Sequence, residues 1–129
     1  MFKNSKAFSS FSVDDIEKAK EFYGQTLGLE VAEDEMGVLA VNLADGNWVM
    51  VYPKGDGHTP ATFTVLNFPV DNIGTAIDEL TSKGVTLEHY DDPDFKTNER
   101  GIASFGERKM AWFTDPAGNI LSLIQDKTS

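Results

Sequence analysis

The sequence predicts an α+β fold made of two copies of one βαβββ unit, and three observations carry that prediction. A strand-to-helix junction occurs twice, as Val13-Asp14-Asp15-Ile16-x-x-Ala19 and as Val70-Asp71-Asn72-Ile73-x-x-Ala76, an offset of 57 (13 to 70). A turn that opens a strand also occurs twice, at Gly46-Asn47 and Gly118-Asn119, an offset of 72 (46 to 118). Each half carries one stretch of helical periodicity among short stretches of strand-like alternation. The offsets differ by 15 (72 less 57), so the second half holds one long insertion.

Taken in order, residues Ala7 to Val13 alternate as a strand, with Phe11 and Val13 on one face and Phe8, Ser10 and Ser12 on the other. Asp14 suits a helix N-cap, with Glu17 as the returning partner of a capping box. Ile16, Ala19, Phe22 and Tyr23 recur at helical spacing, and Gly28 is placed to stop the helix. Three strands follow at Leu29–Glu33, Val38–Leu43 and Trp48–Tyr52, the last two joined through Asp45-Gly46. Pro53 to Pro60 is a linker rich in turn residues. The second half reads as a strand over Thr62–Val70, then a helix opened by Asp71 and closed by Gly84. A strand follows over Val85–Tyr90, then a polar loop from Asp91 to Gly106. The last strands are Arg108–Thr114 and Ile120–Gln125, joined by the turn Asp115-Pro116-Ala117-Gly118. The 129 residues therefore make one domain, with modules at 1–54 and 61–129.

Composition narrows the function. With 40% hydrophobic and 25% charged residues the chain has a globular make-up and enough length for a core. A net charge of -10 disfavours nucleic acid, whose phosphates are held by clustered Lys and Arg. The absence of cysteine excludes disulfides, a thiol nucleophile and thiolate metal sites. No apolar run is long enough to span a membrane and no signal-peptide stretch is evident, so a cytoplasmic protein without a membrane partner is expected.

Three motifs carry a resemblance to a known family: Phe11-x-Val13-x-Asp15-Ile16-x-x-Ala19-x-x-Phe22-Tyr23-x-x-x-Leu27-Gly28-Leu29, Val70-Asp71-Asn72-Ile73-x-x-Ala76, and Trp112-Phe113-x-Asp115-Pro116-x-Gly118-Asn119. Together, and over nearly the whole chain, the pattern resembles the vicinal oxygen chelate superfamily of glyoxalases, bleomycin-resistance proteins, fosfomycin-resistance proteins and extradiol dioxygenases. The resemblance implies paired βαβββ modules curled into a half-open barrel around a cavity, and a homodimer. It also implies four metal-ligand positions in metal-using members: five residues before each valine that precedes a helix, and four residues after each turn glycine. Here those positions hold Phe8, Val65, Met50 and Ser122. None offers the imidazole or carboxylate donor that a divalent ion needs, so no metal and no cofactor is expected. Bleomycin-resistance proteins, which share the fold without the metal, are the nearer functional analogue.

Period-two counting from those positions gives the cavity face. Trp48, Met50 and Tyr52 share one parity, as do Val65 and Asn67, Arg108, Met110 and Trp112, and Ser122 with Ile120 and Ile124. With Phe8, they describe an apolar, aromatic pocket for a small-molecule ligand, with Trp48 and Trp112 opposite the 91–106 loop. The alternative is that the same side chains fill a core. His58 and His89, Arg100 and Arg108, and the acids Asp91, Asp92, Asp94 and Glu99 each admit a functional role beside an ordinary surface one. A second hypothesis is an enzyme of the same superfamily acting on a carbonyl or aromatic metabolite, with Glu99 as base beside Arg100. No Ser-His-Asp order, P-loop or dinucleotide fingerprint appears in the sequence.

Overall fold

A computed structural model describes residues 1–126 and shows two compact units, Met1–Thr59 and the chain from Pro60 onward. The division falls within the linker that the Gly and Pro content marks. Among the described residues no helix is long and apolar enough to cross a membrane.

The first unit runs β1 (Ser9–Val13), α1 (Ile16–Glu21), β2 (Glu30–Glu33), β3 (Leu39–Asn42) and β4 (Trp48–Pro53). Its sheet has the order β1-β4-β3-β2, with β1 parallel to β4 and the other pairs antiparallel. Alternation decides its two faces. Phe11, Val13, Leu39, Val41, Val49 and Val51 are buried together with Ala19, Phe22 and Tyr23 of the helical segment, and Phe11 lies 6.0 Å from the Tyr23 ring. That face is the core. Asp15, rather than the expected Asp14, caps α1: its carboxylate accepts from the N–H groups of Glu17 and Lys18 at 3.0 and 3.3 Å. Asp14 instead accepts from the N–H of Asp15, so Glu17 supplies a donor to the cap and no capping box forms. The helix then widens into a single π turn, Phe22–Thr26, with Leu27 N–H bonded to Phe22 O. Gly28, at φ 73°, ends it as the sequence predicts.

The second unit repeats this plan: β5 (Thr64–Pro69), α2 (Ile73–Ser82), β6 (Ile102–Phe105), β7 (Arg108–Thr114) and β8 (Ile120–Gln125), in the order β5-β8-β7-β6. Asn72 caps α2 by accepting from Thr75 N–H at 2.9 Å, one residue beyond the expected Asp71. The amide oxygen of Gln125, buried on β8, accepts from Ile73 N–H at 2.8 Å and ties the helix start to the sheet. Ile73, Ile77 and Leu80 of α2 are buried, as are Leu121, Leu123, Ala111 and Phe113 of the strands.

One expected strand is absent. Val85–Tyr90 makes only a single bridge, Leu87 to Phe113, with Glu88 N–H donating to Trp112 O at 2.7 Å. The module's second strand is Ile102–Phe105, inside the stretch assigned to the polar loop. The insertion therefore lies between α2 and β6. The two pieces share one strand edge: β6 pairs with residues 108–111 of β7, and Leu87 bridges Phe113 further along it. Gly101 makes the sharing possible, because at φ 85° a Cβ would sit 3.1 Å from Leu87 Cβ and 3.2 Å from Glu88 O.

The twin turns also differ. Asp115 is buried, and its carboxylate accepts from the N–H groups of Ala117 and Asn119 and from the Asn119 side-chain amide, at 2.9 to 3.1 Å. Asn119 in turn accepts from Ala61 N–H, fastening β8 to the start of the module. At the offset of 72 the first module has Leu43 in that place, and its turn aspartate, Asp45, is exposed and sits at φ 62°.

Candidate functional site

In each unit the helix covers one face of the sheet, and the other face carries the residues singled out in the sequence. In the first unit this second face is open. Phe8 and Trp48 stack with ring centroids 4.0 Å apart and planes 27° apart. Phe8 remains 48% exposed, a large apolar surface turned to solvent. Beside the stack, Trp48 and Met50 help line a recess of about 250 Å³ with Ala32, Val38 and Ala40 and with the acidic Glu33 and Asp34. Pairing across the sheet sets Ser10 beside Met50 and Ser12 beside Tyr52, so the face is aromatic at one end and polar at the other. At the polar end the hydroxyl of Ser12 lies 2.8 Å from Nδ1 of His58. His58 gets there because the linker makes a tight turn over Gly55–Gly57, entered through Gly55 at φ 52°.

In the second unit the chain's own insertion packs over Trp112 on the equivalent face, while Asn67 stays exposed. Trp112 is buried, with Tyr90 5.5 Å away edge-on and Phe95 5.4 Å away. Phe95 also meets Tyr90 at 5.5 Å and Phe105 at 6.1 Å. Trp112 thus packs against the insertion rather than facing it across an open space. The reason is local: Glu88 is bonded to the Trp112 backbone, which brings the residues just after it over the indole. Burial and the neighbouring Glu88 and Asp92 carboxylates push the Tyr90 hydroxyl above its ordinary pKa, since each disfavours a phenolate.

Other sequence candidates on this face are less available. Ser122 is fully buried and its hydroxyl donates to the amide oxygen of Asn67, its neighbour in register. Met110 lies between Ala103 and Ile124. Val65 sits at a bulge. Thr64, not Val65, takes the position beside Ile120, so the period-two count fails there. Arg108 is exposed and bonds Asp126 at 2.6 Å, the ordinary surface pairing. Glu99 and Arg100 line a different feature, a groove of about 560 Å³ with Ile77, Asp78, Thr81 and His89. There Arg100 is engaged by Asp78 at 2.6 Å and by Gly74 O at 3.3 Å.

Phe8 and Met50 of the first unit, and Val65 and Ser122 of the second, do not fit a divalent cation. Two are hydrocarbon, one is a thioether, and the one hydroxyl is enclosed and bonded. Among the described residues no group of three or more His, Asp or Glu side chains gathers at metal-binding distance.

Sequence comparison agrees with this architecture. Residues 8–123 match the family model of the Glyoxalase/Bleomycin resistance protein/Dioxygenase superfamily. The chain belongs to that superfamily. No curated protein matches it. Among solved structures, TnmS3, an antibiotic binding protein from Streptomyces sp. CB03234, shares 23% identity over 96% of this chain and 98% of its own, with a TM-score of 0.65. A glyoxalase family protein from Enterococcus faecalis shares 22% identity over 96% and 99%, with a TM-score of 0.66. A glyoxalase/dioxygenase from Nostoc punctiforme shares 18% over 95% and 92%, with a TM-score of 0.67. At these identities the likeness is one of fold.

The sequence did not reveal the Ser12–His58 pair or the covering of Trp112. A histidine in a Gly-rich linker signals nothing about where the linker folds. Tyr90 and Phe95, two aromatics in an otherwise polar stretch, were the one available sign that the insertion packs on the sheet.

Proposed function

We propose that the protein binds a small, largely apolar or aromatic molecule without a metal ion, on the sheet face turned away from the helix. One observation carries this: a Phe8–Trp48 stack with Phe8 exposed, beside a recess lined mainly by apolar side chains, where metal-using relatives would need a donor. Exposed apolar surface of this kind on a soluble chain commonly marks a binding site. A flat ring added to the stack gains about 0.5–1.5 kcal/mol per aromatic contact beyond simple burial. TnmS3 bears the description antibiotic binding protein, a role of the same kind. An enzyme using Glu99 finds less support, because Glu99 lines the groove beside α2 and not the aromatic face. The proposal includes a symmetric homodimer. β2 and β6 each end a sheet with only one strand partner, and two-fold dimers are the commonest closed assembly.

The test is a thermal-shift and tryptophan-fluorescence screen of aromatic compounds. Hits that lose affinity in Trp48→Ala support binding at this face. Hits unaffected by Trp48→Ala, or no hits at all, count against it.

A further inference from the structure

We propose that the groove beside α2 is a peptide site, taking a short extended peptide that is apolar at its centre and cationic beside it. The site lies wholly in the second unit and is independent of the proposed aromatic site. The groove, of about 560 Å³, is lined by Ile77, Asp78 and Thr81 of α2 and by Gly84–Leu87 and His89 of the segment that follows. That segment is the one that fails to join the sheet as a full strand. Leu87 bridges Phe113, and the bond beside the bridge runs from Glu88 N–H to Trp112 O. In this register the bridging residue points its own N–H and C=O away from the partner strand. Val85 has the same parity and shows where that edge looks, because its N–H donates to Leu80 O in the last turn of α2. The Leu87 N–H and C=O and the His89 N–H lie on the same edge. Among the described residues none of the three has a hydrogen-bond partner. Glu88, with its N–H turned to Trp112, does not line the groove.

Unbonded main-chain donors and acceptors at strand spacing are what an extended peptide pairs with. At a strand rise of about 3.3 Å the stretch from Leu87 to His89 spans roughly 6.6 Å, enough to meet about three peptide residues. The peptide residue opposite Leu87 exchanges both main-chain bonds with it and sends its side chain to the same face. Leu87 is buried, as is Ile77 beside the groove, so that side chain is apolar. Its two neighbours alternate to the other face, toward solvent and the charged groups. Arg100 is held by Asp78 at 2.6 Å and by Gly74 O at 3.3 Å, which neutralises Asp78. Glu99 lines the same groove and has no hydrogen bond or ion pair among the described residues. The open charge in the groove is therefore negative, in a chain of net charge -10, and it selects a cationic neighbour.

The probe is acetyl-Lys-Val-Lys-amide, compared with the same peptide N-methylated at its valine and with acetyl-Glu-Val-Glu-amide. Proton–nitrogen NMR titration and amide hydrogen exchange follow binding at about 0.15 M salt, where charges more than about 8 Å away are largely screened. The lysine peptide should shift the Leu87 and His89 amide signals saturably and slow exchange of the Leu87 N–H. N-methylation removes the donor to Leu87 O and should weaken binding about two- to tenfold. The glutamate peptide should bind wild type about two- to fivefold more weakly, and Glu99→Gln should remove most of that difference. Trp48→Ala should leave lysine-peptide affinity unchanged. No saturable shift at Leu87 and His89 with millimolar peptide, or equal affinity for the N-methylated form, overturns the pairing and with it the peptide site. A lysine preference undiminished in Glu99→Gln overturns the cationic selectivity. A loss of peptide affinity in Trp48→Ala overturns the groove as the place of binding.

Discussion

Phe95→Ala is the sharpest probe of how the second module is built. The side chain sits in the insertion, half-buried, with Trp112 at 5.4 Å, Tyr90 at 5.5 Å and Phe105 at 6.1 Å. Removing the ring deletes three aromatic contacts, each worth about 0.5–1.5 kcal/mol beyond burial. A fully buried Phe→Ala costs about 3–5 kcal/mol. Partial exposure of Phe95 and relaxation of the insertion reduce this, and a loss of about 2–3 kcal/mol is expected. For a chain of this size that lowers Tm by about 10 °C. The second effect is optical. Trp112 is only 8% exposed, and opening its cover admits water to the indole, so its emission should shift to the red. Trp48 emission is unaffected, so the Trp48→Ala background isolates the signal. Differential scanning calorimetry and fluorescence of Phe95→Ala in that background are the assays. A Tm within about 2 °C of the parent together with an unchanged emission maximum would refute the claim that the insertion seals Trp112.

Four further outcomes are expected. Asp115→Ala should cost about 2–4 kcal/mol in denaturant unfolding, because it strands buried donors, whereas Asp45→Ala in the exposed counterpart turn should stay within about 1 kcal/mol. Arg108→Ala should change stability by under about 1 kcal/mol and leave the affinity for aromatic screening hits unchanged, since its partner is an exposed Asp126; a tenfold loss of binding would place Arg108 at the ligand. Elemental analysis of purified protein should find no stoichiometric divalent ion, and light scattering should give twice the 14.2 kDa chain mass; one bound metal per chain, or a monomer at micromolar concentration, contradicts the corresponding proposal. Stability should decline as pH rises above the ordinary tyrosine range near 10, because Tyr90 keeps its proton longer folded than unfolded; absorbance-monitored titration that finds Tyr90 ionising no later than free tyrosine would contradict this.

Much of the architecture was legible in the sequence because local rules decide it. Alternation separated Phe11 and Val13 from Ser10 and Ser12, and the structure buries the first pair and leaves the second at the other face. Helix spacing found Ala19, Phe22 and Tyr23, and the repeated junction revealed the second module. The caps were displaced by one residue, since two neighbouring side chains at each junction had nearly equal capping chemistry. The side chains of Phe8, Val65, Met50 and Ser122 are poor donors for a hard divalent ion in any conformation.

Tertiary structure alone decided the rest. Val85–Tyr90 has strand composition, but it meets β7 only through Leu87 and Glu88, because Ile102–Phe105 occupies residues 108–111 of that edge. Strand composition states a capacity to pair, and the partner is set by which segments compete for the same edge. A single bulge before Leu66 shifted the parity of Val65, which a period of two cannot foresee. Phe95 over Trp112, and His58 against Ser12 from 46 residues away, depend on where a loop returns in space. Contacts so distant along the chain leave no periodic signal. The sequence thus determined the modules and their core faces, whereas folding of the linker and the insertion decided that Phe8 stays exposed and Trp112 is covered.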